Sequence, residues 1–140
     1  MIVVDASLGV KWFLDETGSD EAVALLVEHR KRIVAPELFG IEVAAALVRE
    51  INSGNDERTR GGWELARLFA LVESKAVELR SIDTSTLAKA VEIAIDIGHP
   101  LKDCVYMALA MYLDCELVTC DVRFASKARD VWDRVRVLQG

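Results

Sequence analysis

Two hydrophobic rhythms alternate along the chain: short apolar runs and longer stretches with apolar residues at helical spacing. Ile2-Val3-Val4 stops abruptly at Asp5, and Leu8, Val10, Trp12, Phe13 and Leu14 follow at mixed helical spacing, so a strand and then a helix are predicted. Gly18 and Ser19 end that helix and cap a second one over Ala22 to Lys31, where Asp20 and Glu21 suit a positive helix N-terminus. Ile33-Val34-Ala35 is a second strand ending at Pro36. Pro36 at a first helical position and Gly54 at the far end bracket a helix that carries Leu38, Ile41, Ala45 and Val48 on one face.

Asn55 to Arg60 is polar and Gly61-Gly62 interrupts the pattern, so the next helix is expected from about Trp63 to Ser74, with a loose or bent start. Val77 to Ile82 alternates as a strand, Asp83 to Ser85 supply caps, and Leu87, Val91 and Ile95 mark a helix closed by Gly98. His99-Pro100 opens a helix over Leu101 to Leu113. A strand over Glu116 to Thr119 runs into Cys120-Asp121, a short helix reaches Arg129, and Arg134 to Leu138 alternates again as a last strand. Short strands separated by helices predict an α/β chain with a mainly parallel central sheet. The 140 residues fit one domain, 1–140, with room for a sizeable core.

Composition narrows the class. At 52% hydrophobic and 29% charged, the chain is too apolar for disorder and too interrupted by charge for a membrane span. MIVVDAS lacks the basic start and apolar stretch of a secretory signal, so a cytoplasmic location is expected and no membrane partner. Cys104, Cys115 and Cys120 are odd in number and form no CxxC pair, and His29 and His99 lie far apart, which argues against disulfides and a zinc site. A net charge of -6 speaks against sequence-blind binding of nucleic acid through a broad basic surface. It is compatible with a nuclease whose acids are gathered in one metal-binding pocket.

The acids sit where ligands bind in open parallel sheets, outside the carboxyl ends of the strands. Asp5 and Asp121 each end an apolar strand, and each also suits the cap of the following helix. Glu42 has Leu38, Phe39, Ala45 and Ala46 as its helical neighbours, and an acid on such a face needs a partner, either a bound metal or a buried ion pair. Asp103 lies in the first turn of HPLKDCVYMALA, which suits the helix dipole and also points it toward the strand-end edge. Oxygen-only ligands of this kind fit Mg²⁺ or Mn²⁺, which activate water and steady a leaving oxygen in phosphodiester hydrolysis. Ser7 and Thr119, each two residues from an acid, are placed to hydrogen-bond the carboxylates or a metal-bound water, or to serve as ordinary caps. Lys11, Arg49, Lys102 and Arg123 lie near the acids in sequence and are candidates for substrate phosphates, with a solvated surface role as the alternative.

Four segments, Asp5-Ala-Ser7, Ile41-Glu42-Val43, Lys102-Asp103-Cys104-Val-Tyr106-Met-Ala-Leu-Ala and Thr119-Cys-Asp121, together resemble the PIN domain, and more narrowly the VapC-type toxins of toxin–antitoxin pairs. The resemblance covers essentially the whole chain. It implies a three-layer α/β/α sandwich, Mg²⁺- or Mn²⁺-dependent endoribonuclease activity, frequent homodimers, and a small antitoxin that occludes the site. It carries Asp5, Glu42, Asp103 and Asp121 over as catalytic and metal-binding acids, with Ser7 and Thr119 as their hydroxyl neighbours. Cys104 stands where many relatives have Ala, and Phe124 replaces a further acid seen in some. Trp12, Phe13 and part of the Trp63 to Leu71 stretch are bulky enough to form an apolar surface for self-association or antitoxin docking, with core packing as the favoured alternative for most of them. The main rival is a non-catalytic PIN-like module that grips a partner protein and holds a structural ion. A phosphoacceptor receiver domain needs adjacent acids after its first strand, and a haloacid dehalogenase-type enzyme needs Asp-x-Asp there. The chain has Val4-Asp5-Ala6-Ser7.

Overall fold

The structure, a computed structural model, describes residues 1–53 and 58–138. Its elements are β1 (Ile2–Val4), α1 (Ala6–Gly9) continued by a 3₁₀ turn (Val10–Trp12), α2 (Ser19–Glu28), β2 (Ile33–Pro36), α3 (Leu38–Asn52), α4 (Arg58–Glu73), β3 (Val77–Arg80), α5 (Thr84–Ile97), α6 (Leu101–Leu113), β4 (Glu116–Thr119), α7 (Val122–Ala128) and β5 (Val135–Val137). The five strands form one sheet in the order β3-β2-β1-β4-β5, and every neighbouring pair is parallel. Right-handed crossovers then place α1 to α4 on one face and α5 to α7 on the other, a three-layer α/β/α sandwich.

Parallel sheets are covered on both faces, so their central strands carry continuous apolar runs in place of alternation. β1 and β2 are buried at every position, whereas the edge strand β3 is buried only at Val77. From β1 the chain winds through β2 to β3, and β4 and β5 add on the opposite side of β1. The winding therefore reverses between β1 and β4, the place where an open α/β sheet leaves a crevice at its strand ends. Val4 pairs with Val118, so β1 and β4 end side by side and Asp5 and Asp121 follow on the same edge.

Packing brings the helices close to this edge. A Cβ on Gly9 would lie 2.5 Å from Cε2 of the fully buried Phe39 ring, so only glycine lets α1 settle against α3. Trp12 is buried and donates its indole N–H to the Ala22 carbonyl at 2.8 Å. Trp12 and Phe13 are therefore core residues and contribute no docking surface. Trp63 and Phe69, from the other stretch considered for that role, are 68% and 57% exposed.

The starts of two helices differ from the sequence reading. Pro36 is the last residue of β2, paired with Arg80, and Glu37 caps α3, so Pro36 does not occupy the first helical position. A proline lacking an N–H is tolerated at a strand end as well as at a helix start. Helix α4 begins at Arg58 and runs through both Gly61 and Gly62, because helical glycine costs only about 1 kcal/mol against alanine and packing overrides it. Gly54 and the polar residues immediately after it lie outside the described residues.

Candidate metal centre

Asp5 is 3% exposed and caps α1, accepting the Leu8 N–H at 3.2 Å. The same oxygen, Oδ1, accepts the Ser7 hydroxyl at 2.6 Å, and Oδ2 accepts the Thr119 hydroxyl from the end of β4. Thr119 Oγ1 in turn accepts the Asp121 N–H at 3.0 Å and lies 3.3 Å from Ser7 Oγ, which accepts the Cys120 N–H at 3.1 Å. The ends of β1 and β4 are thus tied by side chains where the ladder stops. All of these partners are neutral. Burial pushes the Asp5 carboxyl up to about 6, against the pull of its hydrogen bonds and with a further push from the Asp103 charge.

Asp121 caps α7 through Oδ1, which accepts the Phe124 N–H at 2.9 Å. Asp103 sits in the first turn of α6, partly exposed, with Oδ2 only 2.5 Å from His99 Nε2. One ligand atom each from His99, Asp103 and Asp121 falls within a 4.8 Å span, a grouping that fits a metal ion. The charges of Glu42, Asp5 and Asp103 all reach Tyr106 of α6, whose hydroxyl donates to Glu42 Oε1 at 2.7 Å. Burial and these charges push the Tyr106 hydroxyl far above its ordinary range, so it stays a donor.

The four acids are therefore not equivalent. Asp103 and Asp121 share the 4.8 Å grouping with His99, which includes neither Asp5 nor Glu42. Asp5 is linked to Asp121 through Thr119 and feels the Asp103 charge, and Glu42 is held by Tyr106. Glu42 is half-buried and finds its cation on another helix, Lys102 Nζ at 3.6 Å, rather than on its own. Of the other candidate RNA cations, Lys11 is committed to the Thr17 carbonyl at 2.6 Å and Glu16 at 3.3 Å, whereas Arg49 and Arg123 are exposed. The three cysteines are free, and burial lifts Cys104 and Cys120 to about 11, which leaves them as neutral thiols.

The donor set fits a hard divalent cation. A fully buried carboxylate with only neutral hydrogen-bond partners, beside two partly exposed carboxylates, lacks the positive charge that would favour its ionised form. Residues 2–130 match the family model for the PIN domain. The chain belongs to the PIN domain family. PIN domains are generally nucleases and usually use divalent metals.

Among solved structures, this PIN domain is similar to PAE2754 from Pyrobaculum aerophilum, at TM-score 0.68 and 19% identity over 98% of this chain and 88% of that one. It is also similar to a chain of a toxin-antitoxin complex from Klebsiella pneumoniae, at TM-score 0.72 and 13% identity, covering 96% and 95% respectively. At these identities the likeness is one of fold. Comparison with curated proteins gives no match.

Sequence reasoning passed over two residues at this edge. His99 has no second histidine or cysteine at zinc spacing to mark it, yet its place four residues before Asp103 is a usable signal. Tyr106 enters the sequence reading only as part of the Lys102 to Ala110 motif, with no role assigned to its hydroxyl. Its hydroxyl reaches Glu42 across 64 residues of chain, a contact without a local signature. Phe124, which the resemblance puts in place of a further acid, is fully buried and packs on the His99 ring at 4.9 Å.

Proposed function

We propose that this PIN domain is a Mg²⁺- or Mn²⁺-dependent endoribonuclease and the toxin of a type II toxin–antitoxin pair. The observation that carries the reading is the 4.8 Å grouping that holds Asp103 and Asp121, with Asp5 linked to Asp121 through Thr119 beside the reversal point between β1 and β4. These three acids would hold the cation, with Glu42 the fourth acid of the site. When bound, the cation supplies positive charge to the scissile phosphate and lowers the pKa of water.

The protein's own groups prepare for this. Ser7 and Thr119 hold both Asp5 oxygens and fix the direction of its remaining lone pairs. Tyr106 orients Glu42, and Lys102 keeps a cation on the open side of that carboxylate, where RNA phosphate would arrive. Arg49 and Arg123 are exposed and available to the same strand of RNA, whereas the Lys11 ammonium is already engaged. The same reading gives the protein a small antitoxin, a homodimeric state and a cytoplasmic location. Among the described residues no helix is long and apolar enough to cross a membrane.

Incubation of the purified protein with structured RNAs, with Mn²⁺ or with chelator, tests the proposal. Internal cleavage that requires metal and disappears in Asp5→Asn supports it. Wild-type protein that binds Mn²⁺ but cleaves no RNA would favour the protein-binding module with a structural ion.

A further inference from the structure

His99 sits just before the Pro100 cap of α6, with its side chain 7% exposed although its neighbours Gly98 and Pro100 are open to solvent. One ring face packs on Phe124, at 4.9 Å between centroids and 41° between planes. Its two nitrogens meet different groups. Nε2 lies 2.5 Å from Asp103 Oδ2, and Nδ1 lies 3.5 Å from Lys127 Nζ, which also donates to the Gly98 carbonyl at 3.2 Å.

A lysine ammonium has donors and no acceptor, so the nitrogen facing it must accept. That assigns the lone pair to Nδ1 and the proton to Nε2, which therefore donates to Asp103. His99 lies within the 4.8 Å cluster of potential ligand atoms, yet in this tautomer Nε2 has no lone pair for a cation. Placing the proton on Nδ1 would turn two donors against each other at Lys127. We propose that His99 is a positioning residue for the metal centre, fixed in one tautomer by Lys127, that holds Asp103 Oδ2 so the carboxylate faces Asp121. The proposal rests on the reading of Asp5, Asp103 and Asp121 as the metal site.

A hydrogen-bond donor behind a ligating carboxylate fixes its orientation, and removing such a partner lowers metal affinity by about 10- to 100-fold. Mn²⁺ binding, read by electron paramagnetic resonance of the free ion, is measured for wild type, His99→Phe, His99→Gln and Asp103→Asn. Phe keeps a ring against Phe124 without the donor, and Gln restores an N–H near the Nε2 position. The expected result is affinity lowered about 10- to 100-fold in His99→Phe and largely recovered in His99→Gln. Electron spin-echo modulation of the Mn²⁺ complex should show no directly coordinated ¹⁴N in wild type. ¹⁵N spectra of the metal-free protein should place the His99 proton on Nε2.

Unchanged Mn²⁺ affinity in His99→Phe, alongside a loss in Asp103→Asn, overturns the positioning role and leaves the metal site standing. A directly coordinated ¹⁴N signal that disappears in the variant overturns it in favour of a ligand. Failure of wild type to bind Mn²⁺ overturns both readings. If His99→Phe does not fold, His99→Asn takes its place, because its shorter amide cannot reach Asp103 and the same loss is expected.

Discussion

The two sides of the candidate site meet their carboxylates in opposite ways. Around Asp5 the corner between β1 and β4 is closed and neutral: two hydroxyls and one N–H grip a carboxylate that is 3% exposed. Around Asp103 and Asp121 the corner between α6 and α7 is more open, and a chain of donors runs from Lys127 through His99 to Asp103. The closed corner sets geometry at the expense of ionisation, whereas the open corner supplies its own positive charge and leaves room for substrate. A cation shared between them would stabilise the ionised form of the closed side far more than that of the open side.

The largest expected effect removes the shared centre. Asp5→Asn, Asp103→Asn and Asp121→Asn should each lower the metal-dependent rate of RNA cleavage by at least about a thousandfold, since several kcal/mol of charge stabilisation are lost with the cation. Single-turnover cleavage of one labelled RNA at saturating Mn²⁺ measures this. A variant that keeps more than a tenth of the activity takes its residue out of the centre.

Next comes the knot of the closed corner. Thr119→Val keeps the shape but removes the donor to Asp5 Oδ2 and the acceptor of the Asp121 N–H. Leaving a buried carboxylate oxygen unpaired should cost about 2 kcal/mol in metal-free melts at neutral pH. Lys127→Met, on the open side, removes a partly exposed cation and should cost less than about 1 kcal/mol. Equal losses would mean that the two corners are built alike.

Much of this division was legible in the sequence and part of it was not. Asp5 and Asp121 announce themselves because an apolar strand ends on each, and Asp103 because it opens a strongly apolar helix. All five strands could be read from short apolar runs or alternation. The ties that distinguish the corners could not: Thr119 reaches Asp5 across 114 residues and Lys127 reaches His99 across 28. Such contacts depend on which strands become neighbours, and periodicity carries no record of that. Helix α4 starts five residues before the expected Trp63, because the glycine pair hides helical spacing without forbidding it.

The two corners should also differ in their response to pH. The folded Asp5 carboxyl is raised to about 6 from 3.8, so the metal-free native state holds its proton more tightly than the unfolded chain. Its contribution to stability is therefore greatest when protonated and is lost as pH rises from about 4 through 6. The whole effect is about 3 kcal/mol, of which about 1.4 kcal/mol falls between pH 7 and 5. Metal-free wild type should melt about 3–6 °C higher relative to Asp5→Asn at pH 5 than at pH 7. Saturating Mn²⁺ favours the ionised form and should cancel or invert the trend. Identical pH profiles for the two proteins would show that the Asp5 carboxyl titrates as it does in the unfolded chain.

The smallest effect tests from which side RNA arrives. Lys102 is 68% exposed and reaches Glu42 across the mouth of the site at 3.6 Å, so turning to a phosphate would cost it only a weak surface pair. Lys11 is 18% exposed, donates to the Thr17 carbonyl, and has its stem 3.4 to 3.6 Å from where a Cβ on the left-handed Gly18 would sit. It holds the turn before α2 and cannot reach RNA without undoing that turn. In a catalytically silent Asp5→Asn background, Lys102→Gln should therefore flatten the log–log salt dependence of single-stranded RNA binding by about 0.7, the value for one phosphate contact. Lys11→Gln should leave the slope unchanged and lower the melting temperature slightly. Arg49→Gln and Arg123→Gln rank between them, since both side chains are exposed but neither is tied to an acid of the site by a described contact. The reverse order, with Lys11 changing the slope and Lys102 not, would place the RNA path over the closed corner and require the turn at Gly18 to open on binding.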